Sequence, residues 1–203
     1  MFVQVIQGRI VTDPARLKEC LDLWARDLAP GASGWLGETA GVTDDGMFVD
    51  LVRFASPEAA RRNGDRPEQG RWWAQTSRLL GGEVTFRDCV ETDTWLGGAS
   101  DDAGFVQVIQ SKVTDLPELR SRLRAMDDDA VRAFRPDVIG GVLAVDPGGV
   151  CTEAVYFTSE TAAREGERRL PAPELLEKME GLMRCYEGEL AYYDLRDPWL
   201  YSP

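Results

Sequence analysis

Two rhythms of apolar residues alternate along this chain, and the same succession of them occurs twice. Phe2–Val11, FVQVIQGRIV, is β-branched and apolar with glutamines interspersed, which predicts a strand. Its apolar residues fall on both faces, Phe2, Ile6 and Ile10 on one and Val3, Val5 and Val11 on the other, so both faces should be covered. Thr12-Asp13-Pro14 then opens a helix with Leu17, Leu21, Trp24 and Leu28 at helical spacing. Residues 35–54 read as two strands around an Asp-Asp-Gly turn. Ser56 and Pro57 read as the N-cap and first residue of a second helix, interrupted near Gly64-Asp65-Arg66-Pro67 and resuming through residues 68–80. Residues 84–96 read as a last strand.

The same elements follow again. FVQVIQ at 2–7 recurs unchanged at 105–110, and residues 41–61 align with 144–164 at the same offset of 103. Val42, Gly46, Val52, Phe54, Ser56, Ala59, Ala60 and Arg61 meet identical residues there. DTWLG at 93–97 resembles DPWLY at 197–201 with a one-residue shift. The first helix has its counterpart in residues 114–134, read as one helix. The chain therefore divides into repeats over 1–98 and 105–203 with a small, polar, Gly-rich linker at 99–104. Each repeat is β-α-β-β-α-β, the split ferredoxin-like arrangement, giving an α+β fold class. Helices cover one face of such a sheet, so its other face needs a cover. The sheet of the other repeat is the expected one, making an intramolecular pseudo-dimer that needs no second chain.

Charge and composition narrow the function. The formal net charge is −12 with the acids spread along the chain, which argues against nucleic acid or an anionic membrane as partner. No apolar run is long enough to span a bilayer and the first residues do not form a secretory signal, so a cytoplasmic protein is expected. Cys20, Cys89, Cys151 and Cys185 fit no zinc spacing and read as small apolar residues in a reducing compartment. There is no histidine. That excludes Ser-His-Asp and Cys-His catalysis and removes the commonest transition-metal ligand, so no metal is expected.

The first strand, the hairpin ending in LVRFASPEAARRN, the broken second helix and VTFRDCVE resemble the dimeric α+β barrel superfamily, most closely its antibiotic biosynthesis monooxygenase (ABM)-like group. The resemblance covers nearly the whole chain, once per repeat. It implies a sheet-to-sheet barrel with last strands that reach across to the other half, as DTWLG and DPWLY would. It also implies a small-molecule substrate. Heme-dependent members usually need a histidine, so the nearer relatives are monooxygenases that use no cofactor and act on aromatic or quinol-type substrates. A ligand-binding or scaffold protein of the same fold is the alternative.

Six residues carry the candidate chemistry in the first repeat. Asn63 would hydrogen-bond a substrate oxygen from helix 2, or else cap that helix. Trp72 and Trp73 would wall a flat ligand, or pack as core. Asp50, matched by Glu153, would act as a base if buried, or pair with an arginine. Gln4 would line the pocket or serve the sheet. Arg87 would bind an anionic substrate oxygen, or pair with a carboxylate. Asn63, Trp72 and Asp50 form the candidate catalytic set, with Gln4, Trp73 and Arg87 as substrate-binding candidates. The second repeat has Gly166 against Asn63, and Leu175 and Leu176 against the tryptophans, so its pocket is expected to be filled.

Overall fold

The computed structural model describes residues 1–203. It contains two compact units, Met1–Thr92 with Asp197–Pro203, and Asp93–Arg196. In the first unit β1 (Phe2–Ile10), α1 (Pro14–Asp27), β2 (Trp35–Val42), β3 (Met47–Phe54), α2 (Pro57–Gly64), α3 (Pro67–Thr76) and β4 (Leu80–Cys89) follow in the expected order. β5 (Glu91–Trp95) leads into the second unit. There β6 (Phe105–Val113), α4 (Leu116–Arg124), α5 (Asp128–Phe134), β7 (Val138–Val145), β8 (Val150–Phe157), α6 (Glu160–Glu167), α7 (Pro173–Met183) and β9 (Tyr186–Leu195) repeat the pattern. β10 (Trp199–Tyr201) closes the chain.

Both sheets have five strands, ordered β10-β2-β3-β1-β4 and β5-β7-β8-β6-β9. The last four of each order are the ferredoxin-like arrangement, with antiparallel neighbours. The fifth strand is exchanged as the DTWLG and DPWLY segments foreshadow. β10 pairs with β2, Trp199 opposite Ala40 and Tyr201 opposite Glu38, while β5 is the edge strand beside β7. The residues read as one last strand over 84–96 therefore divide at Val90 into β4 and β5.

Local chemistry sets the element ends. Ser56 Oγ accepts from Ala59 N at 3.3 Å and Ser159 Oγ from Ala162 N at 3.2 Å, so both α2 and α6 start on the expected serine cap. The two hairpins turn on Gly46 and Gly149, with φ of 82° and 83°, a region an L side chain avoids. Residues 114–134 are two helices rather than the single one expected. Asp127 caps α5 by accepting from Asp129 N and Ala130 N, and so competes with continuation of α4.

In the first unit Leu17, Leu21 and Trp24 of α1 are buried on Phe48, Phe54 and Trp35 of the sheet. On the other face Val3, Val5, Val49 and Leu51 are completely buried, so that face is covered as its composition requires. Val11 departs from expectation: it lies past the end of β1 and is 64% exposed. No helix is long and apolar enough to cross a membrane.

Candidate functional site

Strand alternation brings one row of side chains onto the helix-bearing face of the first sheet. Gln4 lies opposite Val52 and Asp88, and Ile6 opposite Asp50 and Phe86. Helices α2 and α3 bridge this face with a break at Asp65-Arg66, and beneath them lies a cavity of about 570 Å³. Gln4, Asp50, Asn63, Trp72 and Trp73 all line it. Five of the six sequence candidates thus meet in one place. Arg87 does not join them. It pairs with Val5, whose side chain points to the helix-free face, so the period of two carries Arg87 away from the cavity.

The aromatic wall is a chain of rings. Trp24 and Trp72 have centroids 6.2 Å apart, Trp72 and Trp73 6.0 Å, and Trp73 meets Phe86 edge-on at 5.3 Å. Two of the indole N–H groups are engaged internally, Trp72 Nε1 on the Cys20 carbonyl at 3.0 Å and Trp24 Nε1 on Gln69 Oε1 at 2.6 Å. Trp72 therefore offers a ligand its ring rather than its donor. Asn63 lies in the last turn of α2, one residue before Gly64, and the C-cap is Asp65. Its Oδ1 accepts from Arg66 Nη1 at 2.8 Å, which leaves the amide N–H groups as its free chemistry on the wall. Gln4 Nε2 donates to Asp88 Oδ1 at 2.7 Å. Arg61 lines the cavity from an exposed position on α2.

The floor holds a pair of acids. Asp50 and Glu38 are each 3% exposed, and they line the same cavity from the neighbouring strands β3 and β2, near enough for each to shift the other's ionisation. Neighbouring buried carboxyls disfavour joint ionisation, which favours keeping a proton on one of them. Glu38 Oε1 and Asp50 Oδ1 are buried without a hydrogen-bond partner. Burial pushes Glu38 up to about 7, against the opposing pulls of Arg53 and Asp50. Burial, and then the charge of Glu38, push Asp50 well above the usual carboxylate range. Arg53 is buried on the other face of β3, donates to Thr39 Oγ1 at 2.7 Å, and its charge tempers the acids. Tyr201, opposite Glu38 in β10, donates its hydroxyl to Asp22 at 2.7 Å and helps to shield the pair.

Glu38 is absent from the sequence candidates because a bulge hides it. Trp35 pairs with Phe54, but Gly37 pairs with Arg53, so one residue is extra and Glu38 returns to the face of Trp35. Uninterrupted alternation would have sent it to the opposite face. Gly37 adopts φ 122° there, and a Cβ on it would lie 2.6 Å from the Tyr201 carbonyl oxygen.

The pair has a consequence for stability. The folded first unit holds protons on these acids that an unfolded chain releases from pH about 4.5 upward. Stability should therefore fall as pH rises from 5 to 8, by about 3 kcal/mol from Glu38 alone at ~1.4 kcal/mol per unit. With no histidine to titrate in that window, calorimetric melting at pH 5.5 and pH 8 should read the effect directly. A melting temperature that rises across that window would contradict it.

The second unit keeps a cavity where a filled one was expected, of about 320 Å³. Leu175 forms part of its wall and Leu176 is 44% exposed, so the two leucines are not a plug. The break between α4 and α5 leaves Met126, Val131 and Phe134 as wall instead of the Trp24 ring. Glu153 lines this cavity at the position of Asp50, but its neighbour differs. Gly141 stands where the first unit has Glu38, and Trp95 lies against it so closely that an added Cβ would be 2.1 Å from the indole. Trp95 Nε1 donates to Glu153 at 2.9 Å. Burial raises the Glu153 pKa, which that bond partly offsets.

No family model matches the chain, and no curated protein does. Solved structures do. A proposed monooxygenase from Lactobacillus acidophilus NCFM covers 99% of this chain and 95% of its own length, with TM-score 0.73 and 15% identity. A proposed monooxygenase from Fusobacterium nucleatum covers 99% and 94%, with TM-score 0.71 and 10% identity. An anthrone oxidase-like protein covers 98% and 93%, with TM-score 0.57 and 13% identity. At such identities the likeness is one of fold, and it runs the length of the chain: this protein carries the ferredoxin-like α+β arrangement twice in tandem.

Proposed function

We propose that the first unit is a monooxygenase for an aromatic, anthrone- or quinol-type substrate, using no cofactor and acting in the cytoplasm. The observation that carries this reading is the buried Glu38–Asp50 pair of acids at the floor of an aromatic-walled cavity. A base poised near neutral pH inside an apolar pocket suits a weakly acidic substrate, because it is half in its basic form where the enzyme works. The ring chain of Trp72, Trp73 and Phe86 would hold the flat substrate. The Asn63 amide would donate to the oxygen that gains negative charge on deprotonation. The name of the anthrone oxidase-like neighbour supports the choice of probe.

The chemistry balances without a redox group. The acid pair takes one methylene proton from an anthrone, leaving an electron-rich anion. That anion transfers an electron to dioxygen, and the radical pair joins through a new C–O bond as a peroxide. The peroxide takes up a proton, the second methylene proton leaves, and the O–O bond breaks. The products are a carbonyl and one water, with the ring carbon oxidised and dioxygen reduced.

The free thiols Cys20, Cys89, Cys151 and Cys185 support a reducing compartment. The test is an oxygen electrode with anthrone and a quinol under air. Stoichiometric uptake with conversion to the quinone is expected. No uptake with either substrate, alongside a saturable rise in melting temperature on adding them, would favour a ligand-binding protein of the same fold.

A further inference from the structure

We propose that the cavity of the second unit is a binding site for a lipophilic organic cation, an amine or quaternary ammonium carrying an aromatic or alkyl group. This goes beyond the function proposed for the first unit and does not depend on it. The second unit has lost one of the two acids of the first. With Gly141 in place of Glu38, Glu153 has no second carboxyl with which to share a proton. It has instead the Trp95 N–H on one oxygen. A lone carboxylate held in this way is poorly placed for the proton chemistry of the first unit, and well placed as a counter-ion.

The surroundings agree in sign. The charged side chains lining the cavity are Asp128, Glu153, Glu167 and Arg135. Arg135 is committed to Asp137, with Nη2 at 2.7 Å and Nε at 3.1 Å, and lies over Phe157 at 5.6 Å. It therefore brings no uncompensated positive charge. Glu167 pairs with Arg164, but that one arginine also serves Asp194 and Glu160. An anion entering here would meet acids. A neutral ligand would desolvate Glu153 and return nothing to it. A cation gains the Glu153 charge together with the faces of the aromatic wall, an attraction that strengthens where water is excluded.

The wall suits the rest of such a molecule. Trp95, Phe157 and Tyr186 line the interior, and Met179 and Met183 are 38% and 49% exposed, so the cavity has a soft apolar mouth. Thioether side chains adapt to ligands of varied shape. A volume of about 320 Å³ accommodates a compact organic ligand.

The test uses the full chain and two probes of matched shape, phenyltrimethylammonium and its neutral isostere tert-butylbenzene, titrated calorimetrically. The cation is expected to bind at least tenfold more tightly. Glu153→Gln should erase that preference, whereas Asp50→Asn should keep it. Met179→Lys, at an exposed position that does not threaten folding, should weaken the cation by roughly tenfold. Equal binding of the two probes by the wild-type chain would overturn the proposal, as would the absence of saturable cation binding. So would a preference that survives Glu153→Gln, or one that Met179→Lys leaves unchanged. A preference lost with Asp50→Asn would put the cation in the first cavity and overturn it equally.

Discussion

Replacing Asp50 with asparagine is expected to abolish oxygen uptake and, in the same protein, to raise the melting temperature at pH 8. The two effects have one cause. Asp50 and Glu38 are each 3% exposed, and above neutral pH the pair carries negative charge with little water to solvate it. The amide fills the same space and carries no charge. The protein should gain on the order of 1–3 kcal/mol at pH 8, and the gain should shrink toward pH 5, where the native pair is already protonated. The rate should fall by at least about 100-fold, the usual range for loss of a positioned base. Glu38→Gln should behave alike. The sign of the stability change decides between two roles. Were Asp50 half of an ion pair with Arg53, its loss would leave a buried guanidinium unpaired and destabilise the fold. Arg53 donates to Thr39 on the opposite face. Differential scanning calorimetry at pH 5.5 and 8, run beside the oxygen electrode, tests both halves of the expectation; a lower melting temperature at pH 8 would make Asp50 a structural ion-pair partner.

Deleting residues 197–203 is expected to unfold the first unit or lower its melting temperature by more than about 10 °C. These seven residues supply β10, the edge strand on β2. Trp199 is 8% exposed and packs with Phe48 at a centroid distance of 6.3 Å, and Tyr201 is hydrogen-bonded to Asp22. Removing a buried tryptophan alone costs about 3–5 kcal/mol. The deletion also strips the hydrogen bonds of β2 and uncovers the edge beside Glu38. Residues 1–98 expressed alone lack the same strand and should be insoluble or self-associate. The milder Trp199→Ala should reproduce most of the loss in a chain of full length. A truncated protein that melts at the wild-type temperature would mean that β10 contributes nothing to the first unit.

The pattern of residues carried the architecture further than it carried the chemistry. The duplicated FVQVIQ strand, the hairpins turning on glycine and the Ser56 cap are local features, and each appears where its local chemistry puts it. The exchange of DTWLG and DPWLY was legible through the family resemblance, which implies last strands that reach across to the other half. Asp50 was legible as a carboxylate within an apolar run. Glu38 was not, because the bulge at Gly37 reverses the alternation and the second copy has Gly141 in its place. Arg87 was misread because the strand carries it to the helix-free face. The second cavity was misread because Leu175 and Leu176 suggest a plug by composition, while the helix break at Asp127 and the position of Trp95 against Gly141 are tertiary facts.

The central claim is that the first unit removes a proton from its substrate before oxygen takes part. Anaerobic exchange of the anthrone methylene protons in deuterated buffer, followed by proton NMR, reads that step by itself. The wild-type chain should accelerate exchange, more strongly as pH rises through about 7 where the Glu38–Asp50 pair becomes basic, and Asp50→Asn should lose the acceleration while Glu153→Gln retains it. Exchange at the buffer rate with the wild-type protein, or acceleration that survives Asp50→Asn, would contradict the account.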